Sequence, residues 1–311
     1  MTEPSPVVVT ADLGRSFKAV RAVDGLTVSI DRGELFGLVG PDGAGKTTTL
    51  RLLAGLLDIT DGSATILGLD LRHKPESIKP HIGYMAQQFS LYGELSVMEN
   101  LRFFAALFDV SPGDLESRAS RLLEFAGLTE FKERRAVDLS GGMQKKLALA
   151  CTLIHQPEIL LLDEPTTGVD PISRREFWNI LSELHLQGTT VVVSTPYMDE
   201  ADRCSRVGLM YAGRLVKCDS PRNIRNKLRR QVIEIQTKAW QPVLKVVGEL
   251  PGVGETQTYG ESIHVLVDSA ERRLPEIKRA LKRKGIAVHT IRRAPMRMEE
   301  AFISLIRKLE A

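Results

Sequence analysis

Three stretches of this chain hold residues whose types and spacing can do chemistry. The first is Gly40-Pro41-Asp42-Gly43-Ala44-Gly45-Lys46-Thr47, with Thr48 behind it. It fits the pattern G-x-x-x-x-G-K-[ST]. Glycines let a backbone wrap closely around an anion because no Cβ intervenes. Successive N–H groups and the N-terminus of a following helix then face phosphate. Lys46 would reach the β- and γ-phosphates of a nucleoside triphosphate, and the Thr47 hydroxyl would ligate Mg²⁺. The bland alternative is a glycine-rich turn with an incidental lysine. An apolar strand-like run before the loop and a helical pattern after it argue against that.

The second stretch is Leu160-Leu161-Leu162-Asp163-Glu164-Pro165, two acids at the end of an apolar run. An acid there points into the crevice at the strand's C-terminal end, where ligands bind in parallel sheets. Asp163 suits the metal side, through a Mg²⁺-bound water. Glu164 suits a general base that orients or deprotonates an attacking water. Alone, the pair also fits a solvated acidic turn; behind a phosphate loop, hydrolysis is the stronger expectation. The third stretch, Leu139-Ser140-Gly141-Gly142-Met143-Gln144, is a small-residue loop opening a helix. With Ser140 as N-cap it leaves free N–H groups and room for close approach. That is an anion site without an evident ligand in its own chain.

The elements that must position these groups alternate. Val7–Thr10, Leu26–Ile30 and 34–39 look like strands separated by turns. The pattern turns helical from Lys46 to about Gly55. Residues 96–135 are rich in Leu, Phe, Ala and charge at helical spacing, and Gly141–His155 is another helix, ended by Pro157. Ile159–Leu162 and Thr189–Ser194 are continuous apolar runs, as buried parallel strands require. Strands alternating with helices predict a layered α/β sheet. The tail differs: strand Gln231–Thr237, helix Gln241–Leu250, paired strands Glu255–Thr258 and Ile263–Val267, helix Leu274–Lys284, strand Ile286–Ile291 and helix Met298–Leu309. That βαββαβ order predicts a small ferredoxin-like α+β domain.

Charge marks the same boundary. From Pro221 onward there are 19 Lys+Arg against 10 Asp+Glu, although the whole chain carries only +3. A basic tail can meet nucleic acid or an anionic membrane surface, but a solvated face accounts for most such charge. Hydrophobic residues are 43% and charged residues 26% of the 311, the balance of an ordinary globular protein. No apolar run approaches the roughly 20 residues a membrane helix needs. The opening residues lack a basic region and an apolar core, so no signal peptide is expected. Cys151, Cys204 and Cys218 have no metal-ligand spacing and read as reduced cytosolic thiols.

The order of the three motifs resembles the ATP-binding cassette family, over roughly residues 7–218. The resemblance implies an α/β P-loop cassette at 1–219, with a mixed sheet core, an antiparallel β subdomain and a helical subdomain at about 90–155, ahead of the small domain at 220–311. It implies ATP and Mg²⁺ as ligands. It also implies a second cassette, whose ATP would be contacted in trans by Ser140, Gly141, Gly142, Met143, Gln144 and Asp170, the last in Gly168-Val169-Asp170. Phe17 matches the aromatic that stacks on adenine, with a core residue beside a turn as the alternative. Gln87 matches the loop glutamine that senses Mg²⁺ and connects to the transporter, and Gln88 is the runner-up. Phe89, Leu91 and Tyr92 are candidates for contact with a permease, or for plain packing. The stretch from Pro295 is similar to the ends of bacterial exporter cassettes, the whole being most like the first cassette of tandem-cassette multidrug exporter ATPases.

Two positions depart from the family. Asp42 stands where Asn is usual, and is expected to point outward with small effect. Pro196 stands where the family places a histidine that contacts the γ-phosphate; it has neither a polar side chain nor an N–H. Hydrolysis in this chain's own site is therefore expected to be impaired, unless Thr195 or a water substitutes. The expected assembly is a peripheral subunit on the cytoplasmic membrane face, with permease subunits and a second cassette, an unlike one favoured over a second copy. Nucleic acid is not expected as a partner. The competing functions are a cassette acting on nucleic acid or ribosomes, and a regulatory cassette that only binds ATP.

Overall fold

The computed structural model describes residues 5–88, 91–228 and 230–310. Phe89 lies outside them. The chain divides into two compact units, 1–221 and 222–311.

The first unit opens with β1 (Pro6–Phe17), β2 (Val20–Asp31) and β3 (Leu35–Val39). Then come α1 (Lys46–Leu53), β4 (Asp61–Ile66), β5 (Leu69–Asp70), α2 (Pro75–Ile78) and β6 (Ile82–Met85). Three longer helices follow, α3 (Val97–Leu107), α4 (Pro112–Ala126) and α5 (Gly141–Leu153). The unit ends with β7 (Ile159–Asp163), α6 (Pro171–Leu186), β8 (Thr190–Thr195), β9 (Arg206–Tyr211) and β10 (Arg214–Asp219).

Two sheets are built from these strands among the described residues. One is antiparallel, in the order β2-β1-β4-β5. The other runs β10-β9-β3-β8-β7-β6, parallel except for β10. Every residue of β3, β7 and β8 is buried. This is why those segments read as unbroken apolar runs. The strands β1 and β2 extend well past the short runs expected from sequence. Register shifts along their pairing break the alternation that marks a regular strand.

The expected helical stretch at 96–135 is two helices with defined ends. Ser96 caps α3, accepting from the Glu99 N–H, while the Glu99 carboxylate accepts from the Ser96 N–H, a reciprocal cap. Ser111 and Pro112 start α4, and Gly127 in the left-handed region stops it. α3, α4 and α5 share a core that includes Val97, Leu101, Ala119, Leu123, Leu147 and Ala150. It is separate from the core beneath the antiparallel sheet and α1.

The second unit comprises α7 (Pro221–Lys227), β11 (Gln231–Gln236), α8 (Trp240–Gly248), β12 (Val253–Tyr259), β13 (Ser262–Val267), α9 (Ala270–Arg283), β14 (Thr290–Ala294) and α10 (Met298–Glu310). Its sheet is antiparallel, ordered β12-β13-β11-β14. From β11 to β14 this is the ferredoxin-like βαββαβ arrangement. One expectation shifts: the strand placed at Ile286–Ile291 begins at Thr290. Gly285, at φ 65°, closes α9, and the Ile286 N–H bonds back to the Leu281 carbonyl. Ile286 and Val288 still pack against the core, so their apolar alternation mimics a strand without a partner strand. Inside the unit His264 Nδ1 meets Glu300 Oε1 at 2.5 Å, both side chains buried. Part of the basic excess is paired on the surface, Arg273 with Asp268 and Glu276, and Arg292 with Glu234.

Candidate functional site

The loop between β3 and α1 is shaped by glycine at two positions. Gly45 sits at φ 100°, and a Cβ there would stand 2.4 Å from the Ala22 carbonyl oxygen. A Cβ on Gly40 would stand 2.3 Å from the Met210 carbonyl oxygen. Neighbouring backbone therefore leaves no room for a side chain at either position. The loop curls around a cavity of about 570 Å³. Its lining includes Phe17, residues 42–48, Gln87 and Glu164, together with Val20, Arg21, Ala22, Ala212 and Gly213. Asp42 is exposed, while Ala44 and Lys46 are buried.

Lys46 starts α1 and is 3% exposed. Its ammonium donates to the Gly40 and Pro41 carbonyls at 2.8 and 2.9 Å, and pairs with Glu164 Oε1 at 3.1 Å. The other Glu164 oxygen accepts from Gln87 Nε2 at 2.8 Å and from Thr167 Oγ1 at 3.3 Å. Glu164 follows β7 in the left-handed region at φ 46°, a conformation a side chain adopts only under constraint. Thr47 Oγ1 donates to Asp163 Oδ1 at 3.0 Å, and Ser194 Oγ donates to the same oxygen at 2.7 Å. The second Asp163 oxygen, Oδ2, is buried and has no hydrogen-bond partner among the described residues. A buried carboxylate oxygen without a partner is costly, and it sits beside a hydroxyl. Hard oxygen donors of this kind suit Mg²⁺. Asp163 and Thr47 would hold it, and when bound it would neutralise phosphate charge.

Phe17 is 42% exposed at the end of β1, with the Arg15 guanidinium 4.8 Å from its ring centre. Gln87 is exposed, and its carbonyl accepts from Lys145 Nζ at 2.6 Å. Gln88 makes no contact with the cavity. Tyr92 is 49% exposed and stacks edge-on with Phe103 at 4.5 Å, while Leu91 packs against the helical core.

Ser140, Gly141, Gly142, Met143 and Gln144 do not reach this cavity. Ser140 caps α5, accepting from the Met143 N–H at 3.3 Å. Gln144 Nε2 donates to the Ala136 carbonyl. A Cβ on Gly142 would strike Ser173 of α6 at 2.5 Å. This brings the α5 N-terminus against that of α6, which Asp170 caps through bonds from the Ile172 and Ser173 N–H groups, both 3.0 Å. Ser140, Gly141 and Asp170 are exposed. Two helix N-termini thus share one surface, away from the chain's own phosphate loop.

Position 196 follows β8 directly behind the phosphate loop, for the Thr195 carbonyl accepts from the Gly40 N–H. Pro196 lends that place no polar side chain and no N–H. The Thr195 hydroxyl is fully buried and turned to Glu200 Oε2. Glu200 is buried as well and also accepts from Thr166 Oγ1 and Arg174 Nε. Ser194, Lys145 and Glu200 escape a reading of motifs, although a serine ending an apolar strand was a visible signal.

A family model described as ABC transporter matches residues 23–167. The chain is 43% identical over 224 residues to the probable multidrug ABC transporter ATP-binding protein YbhF of Escherichia coli (strain K12). That match takes in 72% of this chain and 39% of the relative, so the chain spans about two-fifths of that protein's length. It is 35% identical to the daunorubicin resistance ATP-binding protein DrrA2 of Streptomyces coeruleorubidus, over 92% of this chain and 90% of the other. Among solved structures, the ATP-binding cassette MJ0796, a dimer in a post-hydrolysis state bound to ADP and Pi, matches with a TM-score of 0.63 at 27% identity. That match covers 68% of this chain and 98% of the other.

Proposed function

This chain belongs to the ABC transporter family as an ATP-binding cassette, and we propose that it is the ATP-hydrolysing subunit of an exporter. In this proposal it sits on the cytoplasmic face of the membrane and drives separate permease subunits. The observation that carries it is the meeting of Lys46, Thr47, Gln87 and Glu164 in one cavity, while Ser140–Gln144 and Asp170 face elsewhere. A second cassette would bring its own copy of that surface over the nucleotide. The relatives' names point the same way, being drug-resistance and multidrug proteins.

The roles follow from the contacts. Adenine stacks on Phe17. The loop N–H groups and the N-terminus of α1 hold the phosphates, with residues 40–48 as the cradle. Lys46 leaves Glu164 for the β- and γ-phosphates, which frees the Glu164 carboxylate to face water. The water oxygen attacks the γ-phosphorus, the bond to the β-phosphate oxygen breaks, and Glu164 takes the proton. Gln87, bonded to Glu164 on one side and to Lys145 on the other, links the site to the segment that leads to the helical subdomain.

Pro196 divides the labour. The Thr195 hydroxyl is committed to Glu200, so it is not free to take the missing histidine's place. This favours an unlike partner: the chain binds ATP and completes a competent site on another cassette. An ATPase assay on the purified chain, alone and after Pro196→His, tests this. Restoring the imidazole should raise turnover of the isolated chain at least about 100-fold, the lower end for one positioned proton-handling group. Fast turnover by the unmodified chain with no gain on substitution would sink the idea.

A further inference from the structure

Ser194 is fully buried at the end of β8, 31 residues from Asp163 in sequence and hydrogen-bonded to it. Its hydroxyl makes two bonds with one possible direction each. It donates to Asp163 Oδ1 at 2.7 Å, and it accepts from the Glu164 backbone N–H at 2.9 Å. The first bond, with that from Thr47, fills Oδ1 with two donors and leaves Oδ2 as the oxygen without a partner. The second holds the peptide of a residue at φ 46°, whose side chain is aimed at Lys46 and Gln87. One hydroxyl thus touches both halves of the acidic pair. The adjoining residues cannot share this task, since the Thr195 hydroxyl faces Glu200 and Pro196 has neither a polar side chain nor an N–H to donate.

We propose that Ser194 is a positioning residue for the carboxylate pair, fixing Asp163 so that Oδ2 faces Mg²⁺ and pinning Glu164 in its left-handed conformation. The proposal rests on the ATP-hydrolysing role given above. Without the hydroxyl, Asp163 Oδ1 keeps only the Thr47 donor, and the carboxylate can rotate away from the orientation that aims Oδ2. The Glu164 N–H keeps only the Ser194 carbonyl, at 3.2 Å.

The test is nucleotide binding by the full chain, followed with a fluorescent ribose-labelled ATP in EDTA and across a Mg²⁺ titration. The forms compared are the natural chain, Ser194→Ala and Ser194→Thr. In Ser194→Ala the half-saturating Mg²⁺ concentration should rise about 10- to 100-fold, as when hydrogen-bonding support of a metal ligand is lost. Affinity in EDTA should stay within about twofold, because the cradle of residues 40–48 is untouched. Ser194→Thr, which keeps the hydroxyl, should restore the Mg²⁺ midpoint. An unchanged midpoint in Ser194→Ala would overturn the proposal, as would parallel losses with and without Mg²⁺, which mark a packing role. If Ser194→Ala does not fold, Ser194→Cys repeats the comparison with a poor hydrogen-bonding group of similar shape. A natural chain whose ATP binding ignores Mg²⁺ would overturn the ATP-hydrolysing role itself and this proposal with it. A Mg²⁺-dependent natural chain with an indifferent Ser194→Ala would overturn only the latter.

Discussion

Glu164→Gln should unsettle the empty site and tighten it for ATP at once. The Lys46 ammonium is 3% exposed, and its one charged partner among the described residues is Glu164 at 3.1 Å. Coulomb's law gives about 5 kcal/mol for unit charges at that distance with an effective dielectric of about 20. The Gly40 and Pro41 carbonyls, at 2.8 and 2.9 Å, stay in place and offset part of the loss. The net cost should fall near the low end of the range for breaking a buried pair, about 3 kcal/mol. For a unit of this size that lowers the melting temperature by roughly 6–12 °C. Phosphate returns a negative partner to Lys46, so most of that cost comes back on binding. Affinity for ATP in EDTA should then rise about 10- to 100-fold, at about 1.4 kcal/mol per tenfold. Hydrolysis should fall to background, since the amide cannot take a proton. Melting followed by circular dichroism and calorimetric ATP titration, both on the full chain, supply the two numbers. An empty variant as stable as the parent, with unchanged affinity for ATP, would refute the view that Glu164 holds Lys46 in reserve.

Two further outcomes follow from buried geometry. Gly45→Ala places a Cβ 2.4 Å from the Ala22 carbonyl oxygen at φ 100°; strain of about 1–3 kcal/mol should weaken ATP binding about 5- to 150-fold, measured by the same calorimetry. Burial holds the Cys151 and Cys204 thiols well above the ordinary thiol range. The folded chain therefore keeps two protons that the unfolded chain releases above about pH 8.5, and stability falls as pH rises past that point, by about 1.4 kcal/mol per unit for each thiol. Urea midpoints at pH 8 and pH 10 should converge in the double variant Cys151→Ala, Cys204→Ala; an unchanged pH slope would show that other groups set it.

Local chemistry was legible in the sequence, and partnership across the sheet was not. The phosphate loop, the acidic pair and the cap at Ser140 each occupy a few consecutive residues, so side-chain type and spacing expose them. The two buried parallel strands at 159–163 and 190–195 were equally plain, because both faces are covered and apolar residues run unbroken. Ile286–Ile291 misled for the opposite reason. Ile286 and Val288 pack from a loop, and only pairing with β11 decides where a strand begins.

The site adds a stronger case of the same limit. Pro196 was conspicuous as a missing histidine, but whether Thr195 could replace that group was open in the sequence. A threonine hydroxyl on a strand can face either side, and neighbouring letters do not say which. The fold decides it through a residue five positions on: Glu200 is buried beneath the strand end, with Arg174 and Thr166 also bound to it. A buried carboxylate needs its donors, so turning the Thr195 hydroxyl toward nucleotide would strip one from Glu200. The cost of that exchange makes position 196 a gap that its nearest hydroxyl does not fill, and it leaves Ser194, one residue earlier, as the member of β8 whose hydroxyl reaches the acidic pair.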